Sequence, residues 1–253
     1  MRVVLLTSIF TIGLGVTFAT TTDELKLVSG THTVTITDSV GLVAGTCTGT
    51  VADCFLINAP GGFYDTNTAA GTMTVASANF DGWVISGTIG VSHSPGLTPF
   101  GIDISSLTAT CSTAICSTNQ LQVWYGDVNF DIPVGVNGFT TGFSATDTGN
   151  GSATQKAWFD NGNGIFGTTT AIGTVGAFSG AGTFAGSANG GAIASNTSYS
   201  LTLEQLFSVN SPGAAAGFSV DGNITAVPEP GAVVLFGTVL GLCASSLRRR
   251  RKS

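Results

Sequence analysis

Positive charge is what this chain has least of. Its 253 residues carry eight Lys and Arg against fourteen Asp and Glu, and charged residues of both signs make up only 9%. Six of the eight basic residues sit at the extremities, as Arg2, Arg248, Arg249, Arg250, Arg251 and Lys252. Between residues 20 and 227 only Lys26 and Lys156 remain against thirteen acids, a net charge of about −11. A body this acidic repels phosphate backbones and anionic lipid, which argues against nucleic acid as a partner. Histidine is also scarce: His32 and His93 are the only two, and neither falls in a metal-ligand spacing. There is no H-E-x-x-H, no G-x-S-x-G and no C-x-x-C, so the common sequence carriers of zinc hydrolysis, of a serine nucleophile elbow and of redox or zinc cysteines are missing. No catalytic residue, metal or cofactor is expected.

What the chain does have is strong patterning at both ends. Arg2 precedes an uncharged stretch over 3–18, then Ala19 and a Thr-rich acidic segment, the layout of a secretory signal peptide over 1–19 with cleavage after Ala19. At the other end, Val227, Pro228, Glu229 and Pro230 precede an uncharged apolar run over 231–247. As a helix that run is about 25 Å long, just short of a hydrocarbon core of about 30 Å. The basic cluster behind it resists crossing a bilayer and would hold that end in the cytoplasm, leaving the bulk of the chain outside. Pro228 and Pro230 cannot extend the helix backwards, so Pro-Glu-Pro is expected as an extended segment at the outer membrane face, open to a protease.

In that order, Val-Pro-Glu-Pro, a short Gly-containing apolar helix and an arginine cluster, residues 227–253 resemble the PEP-CTERM sorting signal of Gram-negative, exopolysaccharide-making bacteria. The resemblance covers about a tenth of the chain. It implies recognition by an exosortase, processing near Pro228 to Pro230, a transient membrane-bound intermediate, and delivery to the cell surface or extracellular matrix. Val227, Pro228, Glu229, Pro230 and Arg248 to Arg251 would then be a substrate site for that enzyme.

The region between, 20–226, is long enough for one domain with a sizeable core. Leu, Ile, Val and Phe contribute 69 of 253 residues, too many for a disordered chain. Its period is two. In Thr31-His32-Thr33-Val34-Thr35-Ile36-Thr37, His32, Val34 and Ile36 share one face and threonines line the other. Similar runs over 72–76, 83–91, 102–110, 120–128, 138–144, 155–160, 172–178, 199–209 and 218–227 are bounded by Gly, Pro, Asn and Asp. Only 201–207 would suit a short helix. The expectation is an all-β protein: an antiparallel β-sandwich, jelly-roll or immunoglobulin-like, flanked by the signal peptide and the transmembrane sorting helix. The Gly-rich stretch 161–191 reads as strands whose small side chains allow close approach. A linker is expected at 211–217, or in the few residues before Val227.

Apart from Cys243 in the apolar run, the cysteines are Cys47, Cys54, Cys111 and Cys116. An even number in an exported chain implies disulfides, with three connectivities open. Local pairing is the choice here, Cys111 with Cys116 stapling the tip of a hairpin between the strands at 102–110 and 120–128. Asp127 and Asp131 form a formal glycosidase-type carboxylate pair, for which solvated loop acids are the simpler reading. Asp160-Asn161-Gly162-Asn163-Gly164 is rich in oxygen ligands but fails the EF-hand pattern, and a tight Asn-Gly turn accounts for the same letters. Trp83, Trp124, Tyr125 and Trp158 are either core or an aromatic sugar platform, with core the simpler reading. The function that follows is a non-enzymatic, structural or adhesive surface or matrix protein linked to exopolysaccharide and biofilm, with a carbohydrate-binding module as the alternative and an unrecognised secreted hydrolase behind both.

Overall fold

The computed structural model describes residues 23–38, 47–49, 71–92, 101–111, 113–130, 136–190, 198–211 and 214–228. The expected signal peptide, apolar run and basic tail lie outside these residues, as do Cys54, His93, Asp131, Glu229 and Pro230. Among the described residues no helix is long and apolar enough to cross a membrane.

Thirteen strands make up the described chain: β1 (Glu24–Ser29), β2 (His32–Thr37), β3 (Cys47–Gly49), β4 (Thr72–Phe80), β5 (Trp83–Ser92), β6 (Gly101–Cys111), β7 (Leu121–Phe130), β8 (Val136–Asp147), β9 (Gly151–Asp160), β10 (Thr170–Ser179), β11 (Gly182–Gly190), β12 (Tyr199–Val209) and β13 (Ala216–Pro228). They form two sheets, ordered β10-β9-β12-β7-β1-β2-β3 and β11-β8-β13-β6-β5-β4. Every strand pair in both sheets is antiparallel. The first four positions of the two orders correspond, β10 with β11, β9 with β8, β12 with β13 and β7 with β6, and within each of these pairs the chain crosses from one sheet to the other.

The alternation read from the sequence becomes an inside and an outside. Leu25, Leu27, Val123, Tyr125, Leu201, Leu203 and Phe207 point inward from the seven-stranded sheet and meet Ile85, Ile104, Leu107, Phe218, Val220 and Ile224 from the other, all buried. Aromatic contacts cross the interlayer space, Phe139 on Phe159 at 5.8 Å and Phe207 on Phe218 at 5.1 Å, while Trp83 meets Phe218 within the six-stranded sheet at 6.3 Å. Among these apolar groups lies one polar clasp. The Gln155 amide nitrogen donates to the Thr141 hydroxyl (2.8 Å) and the Gly142 carbonyl (2.7 Å), while Gln205 Nε2 donates to Gln155 Oε1 (3.0 Å).

Three sequence expectations change. Strand β6 pairs with β5 and β13, and β7 pairs with β1 and β12, so Cys111 and Cys116 do not close a hairpin. They are bonded as expected, across a Cα distance of 5.7 Å, but the staple lies in a connection between the two sheets. Residues 201–207, which would also have suited a short helix, belong to the strand expected over 199–209, held on both sides by β7 and β9. Neither expected linker is a tether. Within 211–217 the Ala214 amide donates to the Ser211 carbonyl in a turn (3.1 Å) and Ala216 already pairs with Cys111. The residues before Val227 form a central strand, with Val227 opposite Gly138 and Pro228 opposite Val136. Finally, β1 and β3 lie outside the runs expected as strands, while β11 falls in the Gly-rich stretch expected to hold strands.

The Gly-rich stretch behaves as small residues should. A Cβ on Gly190 would lie 1.9 Å from the Ile172 carbonyl oxygen, and one on Gly173 2.5 Å from the Ala188 Cβ, so β10 and β11 approach each other where larger side chains would hold them apart. Gly222 is the tightest such place in the core, where a Cβ would fall 1.7 Å from Gln155 Oε1 and 2.5 Å from Gln205 Nε2. Both amides are tied by hydrogen bonds and cannot give way cheaply. Gly222→Ala should therefore cost about 3 kcal/mol of folding free energy, measured by urea denaturation.

Candidate functional site

The outer face of the seven-stranded sheet is assembled by register. Lys156 on β9 lies opposite Glu204 on β12, Glu204 opposite Trp124 on β7, and Trp124 opposite Lys26 on β1. One step along, Trp158 lies opposite Thr202, and Thr202 opposite Gly126. Both lysines of the region between residues 20 and 227, and two of its three tryptophans, thus share one patch.

Within the patch the side chains stack. Trp124 and Trp158 lie nearly parallel, centroids 5.6 Å apart and planes 8° apart, reaching across β12. The Lys26 ammonium sits 4.4 Å from the Trp124 ring centroid and 4.5 Å from that of Phe166, within the range in which a cation is drawn to an aromatic face. The result is a ladder of Phe166, Lys26, Trp124 and Trp158. Trp124 Nε1 donates to Gln122 Oε1 (3.2 Å). Lys156 Nζ lies 3.2 Å from Glu204 Oε2, with the lysine side chain 37% exposed and the glutamate 5%. Thr202 points to this face yet is buried, because the aromatic side chains cover it.

The ladder's end is supplied by the loop after β9. The Asp160 carboxylate accepts from the Gly162 amide (2.9 Å), the Gly164 amide (3.1 Å) and the Thr169 hydroxyl (2.7 Å). Burial acts to raise this carboxyl, but those three donors outweigh it and hold the group below its ordinary value. Asn163 and Asn129 lock together reciprocally at 2.7 Å in each direction, and the Ser200 hydroxyl donates to the Gly164 carbonyl (2.7 Å). The loop then folds back over the sheet, and Gly126 makes room for it: a Cβ there would meet Phe166 at 3.2 Å and Ile165 at 3.4 Å. The Asn-Gly turn is thus what fixes Phe166 on Lys26.

Electrostatically the patch is balanced. Burial raises the Glu204 and Glu24 carboxyls and lowers the Lys26 amine; Lys156 and Lys26 pull Glu204 back towards ionisation, and Glu204 and Glu24 pull Lys26 back. Two lysines and two glutamates leave no net charge there, on a body that is acidic elsewhere.

The four aromatic candidates divide. Trp83 and Tyr125 are fully buried, the Trp83 indole donating to the Asn119 carbonyl (3.1 Å); Trp124 and Trp158 are the outward pair. Asp127 is fully buried, accepting from the Val128 amide (2.7 Å) and the Ser92 hydroxyl, so it lines no cleft. His32 is half-buried at the start of β2. Cys47 begins β3. Among the described residues no three His, Cys, Asp or Glu side chains converge as metal ligands do. Lys26, Phe166 and the Lys156–Glu204 pair were not singled out from the sequence, although Lys26 between Leu25 and Leu27 marks an outward position.

No protein-family model matches the chain, and no characterised protein matches it in sequence. Solved structures to which the chain is similar include TmCBM61, determined in complex with β-1,4-galactotriose (10% identity, 59% of this chain and 91% of that one, TM-score 0.29), and a CBM4 structure (15% identity, 58% and 95%, TM-score 0.29). Another is tailspike protein 4 of bacteriophage CBA120, at 12% identity over 60% of this chain and 19% of that one, TM-score 0.29. Likeness of this order carries no functional argument.

The stacked indoles make a direct test of the ladder. Exciton coupling between Trp124 and Trp158 should give a couplet in the far-ultraviolet circular dichroism that Trp158→Ala abolishes, at a cost of only about 1 kcal/mol in stability. Trp83→Phe should leave the couplet intact.

Proposed function

We propose that this is an exported surface or matrix protein whose sandwich binds polysaccharide without catalysis, through the outer face of the seven-stranded sheet. The observation that carries the reading is the outward ladder of Trp124, Trp158, Phe166 and Lys26. Indoles that had only to stabilise the fold would gain more in the core, where Trp83 is. Held at a solvent-facing surface and fixed in angle by their neighbours, they offer rigid apolar area at little entropic cost, flanked by Gln122, Thr154 and Lys156 as hydrogen-bonding groups. A sugar ring presents the complementary surface, apolar C–H groups on its faces and hydroxyls at its rim.

In affinity electrophoresis and calorimetry against a polysaccharide panel, binding should weaken at least about tenfold in Trp158→Ala, equivalent to 1.4 kcal/mol, with the fold intact. A panel with no binder, or unchanged affinity in both Trp124→Ala and Trp158→Ala, would refute the reading, and hydrolysis of any bound glycan would refute its non-catalytic part.

Delivery by exosortase sorting belongs to the same proposal and is supported by the residues that carry the PEP-CTERM resemblance. Strand β13 stays paired through Pro228, and the apolar run starts at 231. Only Glu229 and Pro230 lie between them, so a cut at Pro228 to Pro230 would release the body without removing a core residue. Glu229→Ala should accumulate a full-length precursor in the membrane fraction, read by intact-mass analysis; normal maturation of that variant would remove the exosortase.

A further inference from the structure

A strand at the edge of a sheet offers backbone N–H and C=O groups to any other strand that approaches it. Among the described residues the edges are β10 and β3 in one sheet and β11 and β4 in the other. Three of the four are poor templates. Strand β3 has three residues, the pairing of β4 with β5 shifts register twice, and so does the pairing of β10 with β9; short edges and bulges are devices that keep edges from pairing. Strand β11 has neither. It pairs with β8 over nine consecutive residues, Gly182 to Gly190, without a register shift, and it contains no proline and no charged side chain. Ala185, Gly186 and Ser187 in its middle are all exposed.

Charge and symmetry point to what fits this edge. The body has a net charge of about −11, so two copies repel wherever their acids face each other. From Asn161 to Leu203, a span that includes both β10 and β11, the sequence has no charged residue. The one acid of β8, Asp147, is buried and accepts from the Gly149 and Gly151 amides (2.8 Å each). On this side two acidic copies can come into contact. The sequence of β11, GTFAGSANG, also matches its own reverse. Paired antiparallel with itself about Gly186, it sets Gly182 against Gly190, Thr183 against Asn189, Phe184 against Ala188 and Ala185 against Ser187. Polar meets polar, and the one large ring meets a methyl group. Phe184 ends a stack that leads out of the core, Phe143 on Phe178 at 6.0 Å and Phe178 on Phe184 at 5.3 Å. Phe143 is buried, and the outer two rings are half-buried.

We propose that β11 is a self-association edge: two copies join antiparallel, β11 to β11, about a two-fold axis at Gly186, so that their six-stranded sheets become one continuous sheet. Such an axis is perpendicular to the sheet, and it brings the β10 layer of one copy to face that of the other. A nine-residue strand is about 30 Å long, and two layers about 10 Å apart make a wall about 20 Å deep. That wall covers about 600 Å² on each copy, or about 1,200 Å² in all, the lower end of the range for specific interfaces. The contact is isologous and closes at two copies. It turns both aromatic ladders to the same side, and it does not depend on what those ladders bind.

Sedimentation equilibrium of the protein as isolated from the cell envelope or medium tests the pairing. A dimer should form at micromolar concentration, and amide exchange in β11 should quicken on dilution while that in β9 stays unchanged. Ala185 faces Ser187 of the second copy, so Ala185→Lys with Ser187→Lys sets like charges opposite each other twice. That variant should weaken the dimer at least about tenfold with its circular dichroism unchanged. Ala185→Lys with Ser187→Glu makes the same positions attract and should restore the dimer, which neither misfolding nor another register would do. A monomeric wild type would overturn the proposal, whether β11 then exchanges freely or is covered by another part of its own chain. So would a dimer indifferent to the two lysines, or one weakened equally by both double variants.

Discussion

The register of β7, β12 and β9 is the constraint on which both faces depend, and the buried amide clasp pins it. Side chains alternate along a strand, so a slip of one residue would exchange Trp124 with Tyr125 and Trp158 with Phe159, turning the outer ladder inward and the core outward. Apolar packing alone tolerates some sliding, because dispersion contacts are non-directional. Gln155 and Gln205 do not, since a buried amide that loses its partner costs free energy of the order of 1–3 kcal/mol. Gln155 bonds to Thr141 and Gly142 on β8 while accepting from Gln205 on β12. The clasp thereby ties the two sheets in register with each other as well as β9 with β12. Gly222 is the corresponding vacancy in the facing strand.

The outer patch inherits its precision from this arrangement and from one turn. Strands alone place Trp124, Trp158 and Lys26 within reach of one another; they do not decide how the rings stand. The angle comes from Asp160, whose carboxylate gathers two amides and a hydroxyl into a closed turn, and from Gly126, whose missing side chain lets Phe166 descend on Lys26. The letters that suggest a calcium loop therefore act through hydrogen bonding to the chain's own donors. Their functional consequence is indirect: they make a wall at one end of the aromatic surface.

Much of this architecture was legible in the sequence because alternation survives wherever side chains are large. Runs such as 31–37 and 120–128 declare both strand and phase, and all ten runs read from the alternation correspond to strands. Strand β11 was legible only as part of a Gly-rich stretch, without phase or bounds, because its sequence, GTFAGSANG, contains one large side chain; what sets its register is nine residues of pairing with β8, a non-local fact. The hairpin expected around Cys111 and Cys116 failed for a similar reason. A short connection between two strands suggests that they pair, yet β6 and β7 are neighbours through the thickness of the sandwich, and no local pattern separates a turn within a sheet from a turn between sheets. The candidate site was half legible. The tryptophans were visible, but the assignment of Trp83 to the core and of Trp124 and Trp158 to the surface required phase. Phe166 required the fold of a loop.

Scarcity of positive charge joins the two faces of β1. Lys26 points outward because Leu25 and Leu27 must point inward, and the same alternation sends Asp23 inward with them. Had Lys26 occupied either neighbouring position, the ladder would have lost its cation and the core an apolar side chain. Position in the alternation, more than residue content, therefore decides what the two lysines between residues 20 and 227 do: both face outward, Lys26 against aromatic rings and Lys156 against Glu204.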